Sequence, residues 1–174
     1  MNFSNCHAKG LIVIVILIFC SQIFAQSPNF SVIINTTGGV GSYDLTIGFS
    51  PDATDGYDDG VDAYAPPQPP SPAFDAALFW ENDRYYTQIL AGLADDVGVE
   101  HVWDIQLQYD TNNTINLTWD NTSWLELGTF VLQDAFNGAL GIDIDMSAEN
   151  NLTLTNSAFN ILKLKVTPAE GPPY

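Results

Sequence analysis

The sequence predicts an all-β fold: two packed antiparallel sheets of about ten short strands, an immunoglobulin-like β-sandwich. Three observations carry this. Apolar and polar residues alternate with period two in segment after segment, which gives a strand one buried and one wet face. Clusters of Gly, Asn and Asp interrupt the alternation at short intervals. The one helix-like stretch, Ala91 to Val97, is short and reads as a loop.

Residues 1–25 come first and read as a secretory signal peptide. A polar head with one cation, Lys9, precedes the apolar run Leu11 to Phe19, and a small residue, Ala25, marks the cleavage point. The run is shorter than the roughly 20 residues a bilayer span requires. Cys20 lacks the small residues that precede a lipid-modified cysteine. Cleavage removes Cys6, Cys20, His7 and Lys9, so the mature chain has no thiol, one histidine (His101) and three cations. That excludes a disulfide framework, a cysteine nucleophile and Cys-ligated zinc. Losing Lys9 also takes the formal charge from −17 to −18. Such a surface repels phosphate backbones and anionic lipid, so no nucleic-acid partner and no membrane insertion of the mature chain is expected.

Residues 26–168 form the predicted domain. Its clearest strand is His101 to Tyr109: Trp103, Ile105, Leu107 and Tyr109 share one face, and Asp104, Gln106 and Gln108 the other. The same rhythm marks Ile115 to Asp120, Ile142 to Met146 and Leu152 to Thr155. Further strands are expected at Phe30 to Thr36, Tyr43 to Phe49, Phe74 to Trp80, Tyr85 to Leu90, Thr129 to Leu132 and Asn160 to Val166. Turns fall at Gly38-Gly39, Asp110 to Asn113, Asn137-Gly138 and Glu149 to Asn151. Residues 169–174 read as the start of a Pro-rich linker.

One segment breaks the alternation. Ser50 to Pro72 carries five aspartates and then a dense run of prolines. The prolines exclude a central strand and predict an extended crossing, while the Asp-Gly pairs predict a tight loop. A loop this long inside a compact domain is often functional.

Several strings resemble a module that recurs in large secreted multidomain bacterial proteins, many of them type IX secretion cargo. They are Asp52 to Asp62 followed by Ala65 to Pro70, Asn82-Asp83-Arg84, Val102-Trp103-Asp104, Ile115 to Asp120, Val131 to Asp134 and Phe159 to Val166. The resemblance implies a β-sandwich set among neighbouring extracellular modules, and it implies no catalytic residues.

Two surface chemistries fit the residues. Asp52, Asp55, Asp58, Asp59 and Asp62 could supply oxygens to calcium, with Gly56 and Gly60 letting the chain wrap, though the spacing is not that of an EF-hand. The competing reading is a set of Asp-Gly turns whose carboxylates cap nearby amides. Sugar binding needs exposed aromatic faces beside hydrogen-bonding groups, and Trp80 and Trp124 are the candidate platforms, with Tyr85 and Tyr86 beside Trp80. Trp103 and Trp119 lie on apolar strand faces and belong to the core. His101 reads as an edge or surface histidine, and no Gly-x-Ser-x-Gly elbow accompanies it. Asn29, Asn35, Asn112, Asn116, Asn121 and Asn151 begin Asn-x-Ser/Thr triplets, a by-product of polar strand faces that matters only in a glycosylating host.

The expected function is that of a non-catalytic extracellular module, secreted or at the cell surface, serving adhesion, ligand display or spacing. Its partners would be neighbouring modules or surface glycans, and it would require no cofactor beyond a structural calcium ion. The alternative is a carbohydrate-binding accessory of a polysaccharide-degrading enzyme.

Overall fold

The chain forms eleven strands, most of them with period-two patterning, in the computed structural model, which describes residues 27–110 and 114–170. They are β1 (Phe30–Gly38), β2 (Gly41–Ser50), β3 (Ala63–Tyr64), β4 (Asp75–Trp80), β5 (Asp83–Ala91), β6 (His101–Gln108), β7 (Ile115–Trp119), β8 (Gly128–Asp134), β9 (Asp143–Asp145), β10 (Asn151–Leu154) and β11 (Ile161–Pro168). A four-residue helix, α1 (Trp124–Leu127), precedes β8, and a single 3-10 turn spans Ala94–Asp96. The leader at 1–25 with its cysteines, most of the Asp110 to Asn113 turn, the Asn112 triplet start and the last four linker residues lie outside the described residues.

All ten expected strands are present, and the fold is all-β. The arrangement differs from two separate antiparallel sheets. The strands form one hydrogen-bonded path, β10-β7-β1-β2-β5-β4-β6-β11-β8-β9, with β3 against β5. The sheet is mixed, because β2 and β5 run parallel from Thr46↔Thr87 to Ser50↔Ala91. Parallel neighbours need a long connection, and the chain from Pro51 through β4 supplies it. The sheet curls into a half-barrel. Phe30 of β1 meets Phe130 of β8 at 5.8 Å, and Phe49 of β2 meets Trp103 of β6 at 5.8 Å, so strands far apart in the path pack face to face.

The core fills this concavity. Ile34, Leu45, Ile47, Trp103, Ile105, Leu117, Phe130, Leu132, Leu162 and Leu164 are fully buried. Each contributes roughly 1.5–3 kcal/mol by leaving water. Gly48 lets β1 approach β2, since a Cβ there would lie 2.1 Å from the Phe30 carbonyl oxygen. The residues between β9 and β10 bring the two ends of the sheet together. Met146 N–H donates to Phe130 O (3.0 Å), and Trp119 N–H donates to Asn150 O (3.1 Å). Trp119 Nε1 reaches Met146 O and Glu149 O, both at 2.8 Å.

The proline crossing is an extended strap tied to β5 and β6. Arg84 holds it by donating to Pro66 O at 2.5 Å while pairing with the buried Asp75 carboxylate. Gln108 Nε2 donates to Pro69 O (2.8 Å) and Ala73 O (2.9 Å). The polar crossing is thereby joined to the sheet through its carbonyls, which its prolines leave free of ladder partners.

Candidate functional site

The aspartate loop folds on its own backbone. Thr54 donates to the Asp58 carboxylate from its amide (2.5 Å) and its hydroxyl (3.1 Å). Asp58 N–H donates to Asp62 Oδ2 (2.9 Å), and Ile89 N–H donates to Asp62 Oδ1 (2.8 Å). Asp55 Oδ1 accepts from Ala91 N–H (3.2 Å), and its carbonyl accepts from Trp80 Nε1 (3.1 Å) and Gln88 Nε2 (3.4 Å). Burial pushes the Asp62 carboxyl above the usual range, against the pull of its two amide donors. Asp52 and Asp59 are exposed. The five aspartates proposed for calcium thus divide into three that fasten the loop and two that face water. Among the described residues no group of three or more His, Cys, Asp or Glu side chains gathers around a metal-sized space.

The proposed aromatic platforms distribute differently from the expectation. Trp124 is 3% exposed and packs on Phe130 at 4.6 Å, so it belongs to the core. It sits in α1, whose four residues turn its ring inward beneath β8. Trp80 is half-buried. It shares strand parity with Leu78, packs on Trp103 at 5.5 Å and has its indole N–H satisfied by the Asp55 carbonyl. Tyr86 is half-buried and stacks on Tyr43 at 5.4 Å. Tyr85 is 3% exposed, and burial together with a Tyr64 hydrogen bond raises its phenol.

Tyr85 is the base of a ladder that the sequence did not reveal. Tyr64 stacks on it at 4.9 Å, and Tyr57 stacks on Tyr64 at 4.3 Å with planes 5° apart. Tyr57 and Tyr64 are 42% and 50% exposed. Tyr57 lies in the irregular loop and Tyr64 in the two-residue β3, where no alternation marks a face; the signal is two tyrosines in a stretch otherwise rich in Asp, Gly and Pro. The ladder runs from the core to water, and the loop aspartates hold its outer end in place.

The two described lysines are engaged elsewhere. Lys163 donates to Asp104 at 3.1 Å, and Lys165 lies 3.8 Å from Glu100. The Lys163–Asp104 pair lines an open depression of about 360 Å³ with Phe79, Trp80, Glu81 and Val102. Glu81 and Asn82 form the β4–β5 turn at its rim, both with positive φ, the conformation a two-residue hairpin of this twist requires. His101 is 15% exposed at its side chain and packs edge-on against Phe49 at 4.9 Å, more enclosed than the surface position expected. Its Nδ1 lies 3.1 Å from Val99 O and its Nε2 3.6 Å from Asp96. Neither contact pairs it with a hydroxyl nucleophile.

Compared with known proteins, the chain matches no family model, no curated protein and no solved structure.

Proposed function

We propose that the chain is a non-catalytic extracellular module, secreted or displayed at the cell surface, that presents a rigid surface to neighbouring modules or glycans. The reading takes the curled sheet as an immunoglobulin-like sandwich whose two faces join through the parallel β2–β5 pairing. One observation carries it. The segment with the most unusual composition, Ser50 to Pro72, is fastened into the fold by Asp55, Asp58, Asp62, Arg84 and Gln108. Its polar groups are committed to holding a shape. The charge of −17 keeps such a module soluble and directs it away from nucleic acid and anionic lipid.

The test is expression of the full chain with its own N-terminus, followed by fractionation. Recovery outside the cytoplasm, with no product released from a panel of polysaccharides and peptides, is the expected result. Cytoplasmic retention would sink the extracellular part, and turnover the non-catalytic part. The exposed Tyr57–Tyr64 pair favours glycans among the partner classes.

A further inference from the structure

We propose that the Tyr57–Tyr64 stack is a binding platform for a neutral sugar ring. The inference rests on the extracellular reading above and names the ligand class of its surface.

The geometry defines which face is free. Tyr64 has Tyr57 on one side at 4.3 Å and Tyr85 at 4.9 Å. Two rings cannot share one face of a third, so Tyr64 is flanked on both faces and Tyr57, 42% exposed, carries the unstacked face. Tyr85 anchors the ladder in the core, where it is 3% exposed. Tyr57 lies between two fixed points of the chain, Asp55 bonded to Ala91 and Asp58 bonded to Thr54. The ring is therefore held before any ligand arrives, which lowers the ordering cost of binding.

The chemistry around it selects the ligand. A pyranose presents a C–H face that stacks on an aromatic ring and a rim of hydroxyl donors. Asp52 and Asp59 are exposed carboxylates on the same loop, and a carboxylate only accepts hydrogen bonds. A sugar rim supplies several matching donors close together, whereas each proline of a proline-rich peptide supplies none. The net charge of −17 repels uronic and sulfated glycans, which leaves neutral ones. The other tryptophans and tyrosines are less suited, because Trp80, Trp124 and Tyr86 already pack on Trp103, Phe130 and Tyr43. A single open ring gives weak binding, on the order of millimolar for one sugar unit.

The experiment is affinity electrophoresis of the full chain through gels holding soluble neutral polysaccharides (β-glucan, xylan, mannan, starch), with and without added salt. Retardation by at least one of them is expected, insensitive to salt. Tyr57→Ala weakens it about tenfold, the worth of one stacked ring. Tyr57→Trp retains it, and the distant exposed control Leu125→Ala leaves it unchanged. Titration of the free sugar, followed by NMR of the Tyr57 ring protons, locates the site without any substitution. Absence of retardation in every gel, retardation that survives Tyr57→Ala, or binding only to a basic or proline-rich peptide overturns the proposal. Reducing ends released in the same gels would instead sink the non-catalytic reading, so the two failures are distinguishable.

Discussion

Trp103 donates its indole N–H to the side-chain carbonyl of Gln88 at 2.8 Å, and neither residue touches water. The same Gln88 turns its amide toward the Asp55 carbonyl at 3.4 Å, so one buried side chain connects the core to the aspartate loop. Leaving a buried donor unmatched costs its full desolvation. Gln88→Leu is expected to lower stability by about 2 kcal/mol in urea titrations. It also loosens the loop, seen as faster amide exchange at Ala91.

Arg84 and Asp75 form the one strongly buried ion pair described, with side chains 14% and 2% exposed. Removing one partner strands the other. Arg84→Met should cost about 3–5 kcal/mol, and the double substitution Arg84→Met with Asp75→Leu should recover much of that. A double variant no better than the single one would show that the contact to Pro66 carries the effect.

Acid stability should depend on Asp134. Burial alone would raise its carboxyl, but amides of Phe136, Ile142, Leu140 and Gly138 donate to it and hold it below the usual range. A depressed carboxyl contributes stability that is complete above its unfolded value, near 3.8, and is lost as pH falls through the lower folded value. Asp62 has the opposite slope. Its folded value is raised, so protonation relieves a penalty as pH falls through it. Asp134→Asn is expected to flatten the acid limb of the stability curve below about pH 4, whereas Asp62→Asn removes the opposing term. Urea midpoints measured across the acid range decide between these slopes.

Calcium should leave the fold unchanged. Three of the five loop aspartates already accept backbone amides, and among the described residues no three carboxylates converge, so a metal would have to rearrange the loop. Melting midpoints in millimolar calcium and in chelator are expected to agree within about 1 °C, and a shift of several degrees would support the metal reading.

Most strands were legible because they carry their own two-residue rhythm, while β4 was readable as a continuous apolar run. Trp103, Ile105 and Leu107 are buried at 0–3% exposure, as their alternation requires. Trp80 was also readable in principle, since its parity with Leu78 sends it inward. Other features lay beyond local pattern. The β2–β5 parallel pairing joins segments separated by some thirty residues, and no local signal encodes a partner. β3 is two residues long, too short for any period. Trp124 sits in a helix of four residues, also too short to show which way it faces. The Tyr57–Tyr64 contact depends on how an irregular loop wraps, which in turn depends on Asp58 and Asp62 finding particular amides.

The two strands at the ends of the path, β9 and β10, span only three and four residues, and β9 carries Asp143 and Asp145. Such short borders, one of them charged, offer an incoming chain almost no ladder to extend. Copies crowded side by side should therefore remain discrete beads instead of fusing into continuous β-fibrils.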